Sequence, residues 1–176
     1  MGDIVGIFPG RGEVSWRDFY THETVSYVPK GDTTLPAPLG HIPVHIREGV
    51  AILMHTRSGY TIAETLRSPY TLVVFQAANG YAFGHTYFDD GESVPPTPHR
   101  NVQFFVGTGL IRVESSGSFE VKPKLVSLTV LGTNRPTMVK VRGKEVLDWN
   151  YDDALQKLVV SRLNIDLNVP EIVEWQ

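Results

Sequence analysis

Three groups of side chains in this sequence have types and spacing that could do chemistry. The first is Asp89-Asp90-Gly91-Glu92, with three carboxylates within four residues. Such a cluster can hold calcium, supply a general acid and base, or form a solvated turn whose Asp oxygens accept local backbone amides. The fixed offsets of a calcium-binding loop are absent, and no second acidic cluster lies near in sequence. Asp89, Asp90, Gly91 and Glu92 are therefore expected to be a structural turn. The second group is His41 and His45, four residues apart, which on a helix would resemble a zinc pair. Pro43 between them opposes a helix, because proline lacks the backbone donor and clashes with the preceding turn. No third ligand is close in sequence, so no metal site is expected.

The third group is aromatic. Trp16 and Tyr20 fall on one face of an extended segment together with Asp18, and Trp149 lies later in the chain. These rings admit two readings. They are packed in a core or interface, with Asp18 hydrogen-bonded nearby, or they form a stacking platform for sugar. Aromatics are common strand and core residues, which weighs toward packing. Trp16, Tyr20 and Trp149 are the candidate carbohydrate-binding residues.

Other chemistries find no footing. The chain has no cysteine, which removes disulfides, thiolate metal sites and a cysteine nucleophile together. It has no Gly-x-Ser-x-Gly elbow, no P-loop and no Gly-x-Gly-x-x-Gly after a strand. No catalytic residue and no cofactor are expected. Sixteen basic against 19 acidic residues leave a net charge of −3, which speaks against nucleic acid or a membrane surface as partner. No apolar run approaches the ~18 residues that a membrane-spanning helix needs. The start, Met1-Gly2-Asp3-Ile4, lacks the order of a signal peptide.

The elements that must position these groups are strands. A chain of 176 residues suits one domain or two small ones. Leu72–Phe75 is apolar on both parities, as in a strand covered on both faces. Ala78-Asn79-Gly80 carries a tight-hairpin signal, and the strand Tyr81–Phe88 follows it. Pro95-Pro96-Thr97-Pro98 reads as a stiff spacer. Beyond it, Val102, Phe104 and Val106 share a face ahead of the turn Gly107-Thr108-Gly109. Further hairpins are expected at Ser115-Ser116-Gly117 and Gly143-Lys144. In Lys124–Leu131, one face carries Val126, Leu128 and Val130. Ile165, Leu167 and Val169 close the series. Many short strands with turns every 8–12 residues predict sandwiches. The expected fold is all-β, two tandem antiparallel β-sandwiches over residues 1–92 and 93–176. Halves of this size would each bury only ~60–65% of their chain surface, so each would gain from a packing partner.

Several blocks in order carry a family resemblance. They are Ile7-Phe8-Pro9-Gly10-Arg11 with Trp16-Arg17-Asp18-Phe19-Tyr20-Thr21, then Leu35-Pro36-Ala37-Pro38-Leu39-Gly40-His41-Ile42-Pro43-Val44-His45-Ile46-Arg47. Ile52-Leu53, Tyr87-Phe88-Asp89-Asp90-Gly91-Glu92-Ser93 and Leu125–Gly132 follow. The chain resembles the C-terminal region of family 31 glycoside hydrolases, the α-glucosidase family, and is most similar to secreted fungal members. The resemblance implies two β-sandwiches, proximal and distal, that follow a catalytic (β/α)8 barrel. It places the nucleophile and the acid/base aspartate in that barrel, so this chain alone is expected to be inactive. Retaining hydrolysis needs two carboxyls ~5–5.5 Å apart across the bond, and no aspartate here matches either catalytic motif. The implied partner is the barrel, in cis or as a separate chain, in an extracellular setting, with an oligosaccharide as a further ligand. Some positions depart from the family pattern: Gly40 stands where many members have Asp, and Met54-His55 follow Ile52-Leu53 where Pro is usual. Glu48-Gly49-Val50-Ala51 replaces a common Gly-Gly-Ser. The rival reading is a stand-alone carbohydrate-binding or protein-interaction module.

Overall fold

Short runs of β-branched and aromatic residues, cut by glycine and proline, leave little room for helix. A computed structural model describes residues 2–10, 12–95 and 98–176. Arg11, and Pro96 and Thr97 of the expected spacer, lie outside the described residues. The chain forms two compact units, residues 1–48 and 49–176.

In the first unit, β1 (Asp3–Gly6) pairs antiparallel with β3 (Thr33–Pro36), and β2 (Trp16–Asp18) pairs antiparallel with β4 (His45–Arg47). Its centre is Phe8, buried among the rings of Trp16, Tyr27 and His45 at centroid distances of 5.4, 5.2 and 5.0 Å. Residues 25–28 form no strand, and the chain meets β2 there by a bridge between Arg17 and Thr24 and a bond from the Val25 amide to the Trp16 carbonyl. Successive strand residues face opposite ways, yet both Ile4 and Val5 are exposed. A unit of this length burying so few apolar side chains has a marginal core of its own.

The second unit opens with β5 (Val50–His55), a four-residue helix α1 (Ile62–Thr65), β6 (Tyr70–Phe75) and β7 (Ala82–Phe88). The strands β8 (Arg100–Gly107), β9 (Leu110–Gly117) and β10 (Leu125–Leu131) come next. It ends with β11 (Val139–Val141), β12 (Lys144–Val146), β13 (Trp149–Asp152), β14 (Lys157–Val160) and β15 (Glu171–Trp175). All eleven strands belong to one sheet, in the order β12-β11-β15-β9-β8-β7-β5-β6-β10-β14-β13. Its two end strands are joined in sequence by Leu147 and Asp148 alone, so the sheet curls almost shut around one core. Leu72, Phe104, Ile111, Leu128, Leu158 and Leu167 lie in that core, essentially without solvent contact. The expected domain boundary at 92/93 falls between β7 and β8, which pair along seven positions.

The strand content agrees with the pattern in the sequence, but several connections differ. Two pairings are parallel rather than antiparallel, β6 with β10 and β5 with β7. The turn at Ala78–Gly80 does not join paired strands, because β5 lies between β6 and β7. Ser115–Gly117 is no hairpin either, since β9 stays paired with β8 as far as Gly117 opposite Arg100. A register shift between Leu125 and Ser127 turns Val126 away, leaving Leu125, Leu128 and Val130 in the core. The β11–β12 loop is Arg142-Gly143, one residue earlier than expected, and both have positive φ as a tight hairpin turn requires. Ile165–Val169 forms only an isolated bridge, and the closing strand is β15.

Candidate functional site

The acidic turn follows directly on β7. Asp89 Oδ1 accepts the Gly91 amide at 2.9 Å, and Asp90 Oδ1 accepts the amides of Glu92 and Ser93 at 3.1 and 2.9 Å. The Ser93 hydroxyl donates to Asp90 Oδ2. Hydrogen bonds from the Ser93 hydroxyl, then from the Ser93 and Glu92 amides, hold the Asp90 carboxyl down at about 2. A group so acidic has no proton to give at neutral pH, the reverse of a general acid.

Asp166 is held at about 2 as well, first by the Lys124 ammonium at 2.8 Å and then by the Asn168 amide at 2.9 Å. Through Asn168, whose side chain bonds both the amide and the carbonyl of Val121, it ties two loop segments together. Both carboxyls are depressed on folding. Their contribution to stability is therefore complete above the ordinary carboxylate range and lost as the pH falls toward 2. Denaturant unfolding is expected to show stability declining between about pH 4 and pH 2, with a shallower decline in Asp166→Asn. Ser93→Ala is expected to move the Asp90 midpoint upward in a carboxyl-detected NMR titration without changing the fold.

The aromatic candidates do not form one cluster. Trp16 is half-buried, its indole nitrogen donating to the Pro9 carbonyl at 3.2 Å. Tyr20 is exposed, with its ring 5.3 Å from Phe19 and 5.4 Å from His41. Trp149, in the second unit, packs its half-buried ring against the core. Asp18, between the first two, accepts the amides of Tyr20 and Thr21, each at 2.8 Å. Partial burial acts to raise its carboxyl, but those amides, the Thr21 hydroxyl and the His45 charge outweigh it and hold the group below its ordinary value. His41 and His45 go to different rings, Tyr20 and Phe8. Among the described residues, no three His, Cys, Asp or Glu come together as metal ligands.

Among the described residues, each unit carries an open groove. One of about 560 Å³ lies beside β9 and β15, lined by Arg112, Glu114, Arg142 and Ile172. Its charges are matched at close range: Arg112 sits 3.0 Å from Glu114 and over the Phe105 ring, and Arg142 forms a two-pronged pair with the buried Glu171. The other, of about 340 Å³, lies in the first unit against Trp16. Its far wall comes from residues 24–29 and includes Tyr27, which the sequence pattern did not single out. That wall is set beside β2 by hydrogen bonds across a loop, and spacing along the chain carries no sign of it.

No family model matches the chain. Over 168 residues it is 37% identical to the alpha-glucosidase of Aspergillus niger, an alignment that takes in 93% of this chain and 17% of that enzyme. Over 167 residues it is 32% identical to an uncharacterized family 31 glucosidase of Schizosaccharomyces pombe, taking in 94% of this chain and 16% of that protein. The chain is a relative of the family 31 glucosidases. It spans about one sixth of the length of these relatives. Among solved structures, the glucosidase II alpha subunit bound to alpha3-Glc2 superposes on 99% of the chain with a TM-score of 0.80 at 20% identity, over 21% of its own length. The Flavobacterium johnsoniae GH31 dextranase superposes on 99% of the chain, and 26% of its own, with a TM-score of 0.67 at 18% identity. At such identities the structural likeness is one of fold. The family 31 relationship itself rests on the sequence alignments, which run through both compact units. No helix among the described residues is long and apolar enough to cross a membrane.

Proposed function

We propose that this family 31 chain is the non-catalytic C-terminal region of an α-glucosidase-like glycoside hydrolase, and that it braces a catalytic (β/α)8 barrel lying outside these 176 residues. One observation carries the reading: the alignment with the Aspergillus niger enzyme takes in almost all of this chain and only 17% of the enzyme. Residues 1–92 correspond to the proximal sandwich of the family and residues 93–176 to the distal one. The barrel is joined in the same polypeptide or supplied as a separate chain, and the parent works on α-glucosidic sugars outside the cell. The first unit supports a bracing role, because Val5, Ile7, Leu39 and Ile42 are all exposed there, more apolar surface than so small a unit needs to show. Asp89, Asp90, Gly91 and Glu92 serve as a structural turn, and no residue of the chain acts as nucleophile or acid/base.

Pure chain incubated with maltose is expected to release no glucose above the buffer rate. Glucose release that follows the protein through purification would overturn the reading.

A further inference from the structure

The groove against Trp16 has a floor and two walls that are held in place. The Trp16 ring is fixed by its bond to the Pro9 carbonyl and by the Phe8 ring, which meets it nearly edge-on at an interplanar angle of 68°. One wall, residues 12–16, is pinned to the other, residues 24–29, at three places. The Val25 amide donates to the Trp16 carbonyl at 2.9 Å, and the Tyr27 hydroxyl donates to the Val14 carbonyl at 2.6 Å. Gly12 comes so close to Pro29 that a Cβ on it would lie 3.0 Å from the proline ring. A site tied at both ends and the middle is formed before any ligand arrives, which spares the ordering entropy that weakens binding to loops.

The lining selects a chemical class. Besides the two rings it offers the hydroxyls of Ser15, Thr24 and Ser26 and the carboxylate of Glu13. No Lys, Arg or His is among the described residues that line it, and Glu13 repels anions. A purely apolar ligand would strip water from three hydroxyls without replacing their hydrogen bonds. A neutral polyol ring satisfies both demands, laying C–H groups against the half-buried indole and turning hydroxyls to the rim. A volume of about 340 Å³ lies at the small end of ligand sites and suits one or two sugar rings.

We propose that the Trp16 groove binds a neutral pyranose unit of an oligosaccharide, with Trp16 as the stacking ring and Tyr27, Glu13 and Thr24 on its rim. Tyr20 and Trp149 take no part in it. This goes beyond the bracing role and does not rest on it, so its failure would leave that reading untouched.

The test is a titration of the isotope-labelled 176-residue chain with maltotriose, cellotriose and mannotriose, and separately with tetramethylammonium, followed by NMR. The three indole signals of Trp16, Trp149 and Trp175 are separated by single Trp→Phe variants. At least one trisaccharide is expected to produce saturable shifts at the Trp16 indole and the amides of Thr24–Tyr27, with a Kd of order 1–10 mM. The Trp149 and Trp175 indoles should stay still. Trp16→Ala should weaken binding roughly tenfold or more, as expected when a stacking ring is lost. Because that variant also removes a packed ring, the exposed Glu13→Gln and Thr24→Val, with otherwise unchanged spectra, should weaken it roughly threefold each. Absence of a saturable shift at Trp16 with all three sugars overturns the proposal. So do shifts centred on Trp149, tighter binding of tetramethylammonium, or wild-type affinity in both rim variants.

Discussion

Gly84→Val is expected to lower the stability of the second unit by about 4 kcal/mol, which is a large share of the stability of an ordinary domain. Gly84 sits in β7 where that strand runs against β5. A Cβ added there would lie 2.1 Å from the Ala51 carbonyl oxygen and 2.9 Å from its carbon. The obstacle is backbone, so no side chain can rotate away, and β7 would have to part from β5. That separation would break the bond from the Phe83 amide to the Gly49 carbonyl and open the core beneath. The comparison is Gly107→Val at the end of β8, where an added Cβ meets nothing within 4 Å and φ is not positive. Its effect should stay within about 0.5 kcal/mol. Urea denaturation of the two variants measures the difference directly. Equal midpoints would show that the approach of β7 to β5 is not needed for the fold.

Phe104→Ala is expected to cost about 4 kcal/mol, through lost burial and the cavity left behind. Phe104 has 0% exposure and stands opposite Gly84 on β7 and Val113 on β9, at the middle of the sheet. Phe83, one row away on the other face, is 37% exposed, and its truncation should cost only about 1 kcal/mol. Because Gly84 and Phe104 are cross-strand neighbours, their effects should not add, and a double variant should lose less than the sum. If the chain braces a barrel, either core variant should also reduce the yield of the whole enzyme, since small stability losses change abundance several-fold.

The parts of the fold legible in the sequence are those decided by neighbours along the chain. The β8–β9 hairpin could be read from the alternation Val102, Phe104, Val106 and the glycines at 107 and 109. What escaped was decided by distant partners. Nothing near Asn79-Gly80 announces that β5, from residues 50–55, will insert between β6 and β7. Ser115 and Gly117 look like turn residues, yet Ser115 is held in strand by donating to the Leu167 carbonyl and accepting from the buried Arg100, contacts 52 and 15 residues away. The strand β15 was hidden because its first inward residue is Glu171, a charged side chain that is buried only because Arg142 from the β11–β12 turn meets it.

The candidate sites divide the same way. The hydrogen bonds at Asp89 and Asp90 close within three residues, so local spacing carries their pattern. The Trp16 groove needs a wall from residues 24–29, and only the fold brings Tyr27 to it. Tyr20, two residues beyond β2, shares the strand parity of Trp16 but lies past the end of the strand.

These residues are proposed to support a barrel rather than catalyse. Exchanging segments in the Aspergillus niger alpha-glucosidase tests the proposal. The 168 residues that align with this chain would be deleted, or replaced by this chain, and maltose turnover and the thermal midpoint of the purified protein measured. Deletion is expected to abolish activity, and the graft to restore both activity and a cooperative midpoint. A deletion enzyme as active and as heat-stable as the intact one would contradict it.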